Sequence, residues 1–196
     1  MNYIRNIREK SPLIHFITNY VTVNDVANAA LAIGASPIMT DEVLDAPDMQ
    51  SICNALVINL GTLNQNTVLA MIESGKRANE LNHIVVLDPC GAGATPYRNK
   101  VISLLLENVK FDCIKGNISE IKYIMNQSSK TNGVDANIAD TVTKDNLEEV
   151  IKMANELSKK TGAVIAIKGP IAIITPNWME EILSDKTLNR FKVLGK

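Results

Sequence analysis

The sequence is short of several things at once, and each shortage removes a class of function. Charge of one sign is missing: 20 Lys and Arg stand against 21 Asp and Glu, a net charge of −1. Such a chain has no field with which to hold DNA, RNA or an anionic membrane, and it carries no Lys/Arg block or RNP-like aromatic pattern. No apolar run approaches the ~20 residues of a spanning helix. The N-terminal MNYIRNIREK alternates charge with apolar residues and has no signal-peptide core. Cysteine is limited to Cys53, Cys90 and Cys113, an odd and widely spaced set without zinc-ligand pairing. Reduced thiols in a cytoplasmic protein follow from that usage. The two histidines, His15 and His83, give no nucleophile–base order; His15 reads as a packed residue in a strand and His83 as surface.

What is present is a chain of 196 residues, 46% hydrophobic, enough for one domain with a real core. Short apolar runs alternate with helical patterns. Strands are expected at Leu13–Ile17, Pro37–Met39, Ala55–Asn59, Ile84–Leu87, Asp112–Ile114, Ala163–Ile167 and Ile171–Thr175. Helices are expected at Asn24–Ile33 with Gly34 as its stop, Pro47–Cys53, from Asn64, Pro96–Asn108, Ile118–Met125 and Lys144–Lys160. The stretch Ser128–Asp140 is polar and irregular. Continuous apolar strands separated by helices imply a mostly parallel sheet covered on both faces, a three-layer α/β/α fold.

In such sheets ligands bind beyond the carboxyl ends of the strands, and polar residues collect there. Asn19 follows the first strand, Gly61 and Thr62 the third, and Asp88-Pro89-Cys90-Gly91-Ala92-Gly93 the fourth. Lys115-Gly116-Asn117 leads into Glu120 after the fifth, and Lys168-Gly169 follows the sixth. Each has two readings. Asp88 holds a magnesium-bound water or orients a phosphate, or it is a turn residue before Pro89. Gly91 and Gly93 open backbone N–H groups to an anion, or merely permit a sharp turn. Asn117 and Glu120 meet an anion at a helix N-terminus, or form a capping box. Lys115 and Lys168 neutralise phosphate oxygens, or are solvated. Met39 lines an apolar pocket, or packs in the core.

Several stretches in order, ITNYVTVNDVANAALAIGASPIM (17–39), ALVINLGTLN (55–64), VVLDPCGAGAT (85–95), IKGNISEI (114–121), GVDA (133–136) and AIKGPIAIIT (166–175), resemble hydroxyethylthiazole kinase. The resemblance implies a ribokinase-like fold, a homotrimer, and a thiamine-salvage step in which ATP and Mg²⁺ serve to phosphorylate the hydroxyl of 4-methyl-5-(2-hydroxyethyl)thiazole. It implies a thiazole pocket between subunits, with Met39, Asn19, Gly61 and Thr62 as substrate-binding positions. Lys115, Lys168, Asp88 and Asn117 fall in the ATP-binding set, and Asp88 and Glu120 near the magnesium, through water. Lys115 stands where the family usually has an arginine, losing its forked grip, and Lys168 where it usually has a threonine.

The family's glycine-rich G-T-G-C segment, which cradles the transferring phosphate, does not occur in this sequence. No catalytic residue is therefore assigned, and none of the three cysteines has a comparable context. Residues 1–175 are expected to form one kinase-like domain, C-terminally truncated, and 176–196 a divergent tail in which MEEILSDKTLNRF reads as an amphipathic helix. The expectation is a hydroxyethylthiazole kinase, impaired as the chain stands. The alternative is a non-catalytic thiazole-binding or trimer-forming remnant of that kinase.

Overall fold

A computed structural model describes residues 3–128 and 141–175. They form two compact units, the first drawn from residues 3–88 and 103–110, the second from 89–102, 111–128 and 141–175. The irregular stretch expected at 128–140 and the tail at 176–196 lie outside the described residues, Ser128 excepted.

The first unit opens with α1 (Tyr3–Lys10), which buries no residue. This helix was not expected: its apolar residues Tyr3, Ile4 and Ile7 do fall on one helical face, but they are only three in a charged segment that reads at first as alternation of charge with apolar residues. β1 (Leu13–Ile17), α2 (Val23–Ile33), β2 (Ser36–Ile38), α3 (Ala46–Ile52), β3 (Ala55–Asn59), α4 (Gln65–Glu80) and β4 (Ile84–Asp88) follow. β1 pairs with β2 and β3, and β3 with β4, all parallel. α2 stops where expected: Gly34 adopts φ 99° and its N–H reaches the carbonyls of Ala30 and Leu31, a left-handed closure that suits glycine. A side chain there would also meet Arg8 Cγ at 2.6 Å. α4 starts at the expected cap, where Asn64 Oδ1 accepts from Thr67 N–H at 2.9 Å.

Within the apolar strands, burial alternates. Leu56 and Ile58 of β3 and Val85 and Leu87 of β4 have no exposed surface, while their neighbours keep some. Full burial of each such side chain contributes about 1.5–3 kcal/mol.

The second unit holds the turn after β4, the start of α5 (Pro96–Asn108), β5 (Cys113–Gly116), α6 (Ile118–Ser128), α7 (Leu147–Thr161), β6 (Val164–Ile167) and β7 (Ile173–Ile174). β5 and β6 are parallel; β7 is antiparallel to β6. β5 extends two residues past its expected end. Ile114 and Gly116 are buried and Lys115 is exposed, so the lysine occupies the outward position of a two-residue repeat rather than breaking the strand. The expected α/β class is observed: parallel strands alternating with helices, with one antiparallel strand at the end.

Candidate functional site at the carboxyl ends of the strands

Three strands of the first unit deliver polar residues in register. Ile17 pairs with Ile58 and Asn59 with Asp88, so the residues that follow emerge at one edge. Asn19, Gly61 and Thr62 are brought together there by a residue the sequence reading had passed over. Asn59 Oδ1 accepts from Asn19 Nδ2 at 2.9 Å and from Gly61 N–H at 2.8 Å. Asn19 Oδ1 in turn accepts from Thr22 N–H at 3.0 Å and Thr22 Oγ1 at 3.1 Å. Tyr20 N–H donates to Thr62 Oγ1 at 3.2 Å. A Cβ at Gly61 would lie 2.6 Å from Asn19 Cβ and 2.9 Å from Asn59 Oδ1, so only glycine lets the two loops close this far. The sequence signal for Asn59 was its place as the last residue of an otherwise apolar strand.

Met39 is half-buried just beyond β2. The next residue, Thr40, is tied inward: its carbonyl lies 2.8 Å from His15 Nε2. His15 is packed and satisfied, as expected. Burial holds its pKa below the ordinary histidine value, against the opposing effects of the Thr40 carbonyl, Gln50 and the Asp45 charge. His83 departs from the surface reading. It is half-buried, with Nδ1 3.1 Å from Gln50 Nε2, because the connection before β4 turns it toward α3. Asp88 closes β4 half-buried, and its carbonyl accepts from Leu60 N–H at 3.2 Å.

In the second unit the capping box is present in both directions. Asn117 N–H donates to Glu120 Oε2 at 2.7 Å, and Glu120 N–H to Asn117 Oδ1 at 2.8 Å. Glu120 is 5% exposed, and its other oxygen accepts from Gly91 N–H at 3.0 Å. Gly93 N–H is taken by Asn99 Oδ1 at 3.0 Å, and the N–H groups of Ala92 and Ala94 by the carbonyls of Pro89 and Gly91. The turn is thus closed on itself rather than open-handed. Arg98, also passed over in the sequence, donates from Nη1 to the Cys90 carbonyl at 2.8 Å and so brings a guanidinium to this turn.

Lys115, within β5, and Lys168, just past β6, are both exposed. Lys115 is in register with Ala166, and Lys168 N–H bonds the Gly116 carbonyl at 2.8 Å. Alternation along neighbouring strands turns both lysines to the same side. Burial raises the pKa of Cys53 and of Cys113; Asp112 adds to the effect on Cys113 and Lys115 opposes it. Neither is an activated thiolate.

For a divalent cation, no group of three or more His, Cys, Asp or Glu gathers among the described residues. Asp88 at the end of β4 and Glu120 in the first turn of α6 are carboxylates of the kind magnesium takes, an ion that uses few carboxylates and keeps its waters. Asp88 has the chemistry of a direct or water-mediated ligand. Glu120 has each oxygen engaged by one amide and keeps a second lone pair on each, which can accept from a metal-bound water. Among the described residues no helix is long and apolar enough to cross a membrane.

Each unit by itself is an α/β arrangement that places polar groups at the carboxyl ends of parallel strands, where such folds take small ligands: Asn19, Gly61, Thr62 and Asp88 in the first, Lys115, Asn117 and Lys168 in the second. Comparison with known proteins narrows that class. Residues 4–185 match the profile of the hydroxyethylthiazole kinase family. The chain is 50% identical to the hydroxyethylthiazole kinase of Clostridium acetobutylicum over 98% of its length and 70% of that protein's. It is 51% identical to the Clostridium tetani enzyme over 88% of its length and 62% of that protein's. The solved structure of hydroxyethylthiazole kinase from Pyrococcus horikoshii superposes with a TM-score of 0.76 at 32% identity, covering 88% of this chain and 61% of that one. The chain belongs to the hydroxyethylthiazole kinase family. It spans roughly two thirds of the length of these relatives.

Proposed function

We propose that the protein transfers the γ-phosphoryl group of ATP to the hydroxyl of 4-methyl-5-(2-hydroxyethyl)thiazole, a thiamine-salvage reaction. The carrying observation is family membership across residues 4–185. The alcohol oxygen bonds to the γ-phosphorus, the bond to the β–γ bridging oxygen breaks, ADP departs and the hydroxyl proton is released. Such transfers need positioning and charge neutralisation more than covalent chemistry.

For the alcohol, four residues of the substrate-binding set are at hand. Asn19, held by Asn59, presents an amide; Gly61 and Thr62 shape the loop beside it; Met39 offers an apolar, polarisable surface for the heterocycle. For the nucleotide, Lys115 and Lys168 serve as point charges for phosphate oxygens, with Asn117 at the start of α6. Asp88 and Glu120 are the carboxylates that would hold magnesium, through water, and the ion would supply neutralisation of phosphate charge. No catalytic residue is assigned. A homotrimer working in the cytoplasm completes the reading.

The second reading, a thiazole-binding protein without transfer, draws on one observation. The four N–H groups from Gly91 to Ala94 are engaged within the chain, so they offer no anion cradle in this conformation. Titration calorimetry separates the two. A kinase binds both magnesium-ATP and the thiazole alcohol; a remnant binds the alcohol alone; binding of neither contradicts both.

A further inference from the structure

A chain of three buried or half-buried polar side chains runs through the first unit and has no part in the reading above. His15 and Gln50 have no exposed surface. His15 Nε2 lies 2.8 Å from the Thr40 carbonyl, His15 Nδ1 is 3.1 Å from Gln50 Oε1, and Gln50 Nε2 is 3.1 Å from His83 Nδ1. The three come from β1, α3 and the connection between α4 and β4. In register, His15 faces Ile38, and its ring reaches the carbonyl of Thr40, two residues past the end of β2.

The chemistry of the chain fixes one proton. A carbonyl only accepts, so His15 Nε2 carries a hydrogen in every state of the chain. What varies is Nδ1. With Gln50 Oε1 toward it, Nδ1 must also be protonated and His15 is an imidazolium. With the Gln50 amide turned over, its Nε2 donates to a bare Nδ1, and Oε1 accepts from His83 Nδ1–H. Both arrangements satisfy every group, and both keep the bond to Thr40. Asp45, at the start of α3, acts on His15 across the loop and accepts from Thr40 Oγ1 at 2.9 Å.

We propose that His15, oriented by Gln50 and His83, is a positioning residue that fixes the Met39–Thr40 segment, the rim of the thiazole side of the proposed site. It touches neither substrate nor nucleotide. It acts by clamping the carbonyl one residue past Met39, so that the methionine is presented from a fixed backbone in either protonation state. This inference rests on the proposed function only for its ligand.

The test uses the whole chain and three readouts. Removing the clamp with His15→Leu should weaken binding of the thiazole alcohol about tenfold, the scale of one lost buried hydrogen bond. It should change magnesium-ATP binding by less than about twofold and speed amide exchange at residues 39–41. His15→Gln, whose Nε2 lies near the lost ring nitrogen, should restore both properties to within about threefold. Equal loss of both ligands, or a folded His15→Leu protein with unchanged exchange at 39–41, overturns the proposal. Should His15→Leu not fold, imidazole nitrogen NMR of the unaltered protein decides. A His15 with hydrogen on Nε2 at every pH supports the clamp, and one with a bare Nε2 overturns it. The exchange and NMR measurements need no ligand. A protein that binds no thiazole alcohol but passes them would refute the function and leave the clamp standing.

Discussion

Glu120 and Gly91 lie 29 residues apart in sequence, and the carboxylate of one accepts the backbone N–H of the other at 3.0 Å while its second oxygen caps α6 through Asn117 at 2.7 Å. One buried side chain thus ties the turn after β4 to the start of a helix. The expected consequence is structural as well as chemical. Glu120→Ala leaves two backbone donors without their acceptor and should lower stability by about 1–3 kcal/mol. Thermal unfolding of the two proteins measures it. An unchanged melting temperature would mean that water replaces both bonds without loss.

Gly75 is fixed by contact rather than by conformation. It lies in the middle of α4, and a Cβ there would stand 2.5 Å from Val109 Cγ2. Alanine favours a helix by about 0.8–1 kcal/mol over glycine. Overpacking against a β-branched neighbour costs about 1–3 kcal/mol, which outweighs that gain. Gly75→Ala is therefore expected to melt lower than the parent, and a higher melting point would show that Val109 yields.

The depressed pKa of His15 gives a pH dependence with a definite sign. Burial disfavours its charged form in the fold, whereas in the unfolded chain it titrates at the ordinary value of about 6.5. Between the two values the unfolded chain binds a proton that the folded chain refuses. The contribution is intact above about pH 6.5 and is lost as pH falls through the histidine range towards the folded value. Unfolding followed at steps from about pH 7.5 to about pH 5 should show this decline in the parent and a shallower one in His15→Gln. Parallel curves would contradict it.

Cys53 and Cys113 should be poor nucleophiles. Burial raises both pKa values, so less thiolate exists at a given pH than for a free cysteine. Alkylation by iodoacetamide at about pH 8, near the ordinary thiol range, should be slow at both until denaturant is added. Rapid labelling of either in the folded protein would show an exposure that the structure lacks.

Legibility in the sequence followed the range of the physical signal. Gly34, Asn64 and the Asn117–Glu120 box act within three or four residues, and each was readable as a stop, a start and a cap. The apolar runs gave β1, β3 and β4 for the same local reason. Lys115 was misjudged as a strand end because a lone charge in a short strand looks like a terminus until its neighbours' burial is known. Gln50, Asn59 and Asn99 were not assigned roles. Their partners are 35, 40 and 6 residues away, and an amide in a sequence carries no mark of whom it will bond. Gly91 and Gly93 were read as open to an anion or as permitting a sharp turn; both adopt positive φ, as the turn reading has it, and their N–H groups are met by Glu120 and Asn99. Asp88 kept its expected place because a carboxylate closing an apolar strand is set by the strand itself.

The most direct measurement is phosphorus NMR of the purified chain with ATP, magnesium and 4-methyl-5-(2-hydroxyethyl)thiazole. The expected result is a new phosphomonoester growing in step with ADP, and its loss in Asp88→Asn. Release of ADP and inorganic phosphate at the rate of a protein-free control, with no ester, would contradict it.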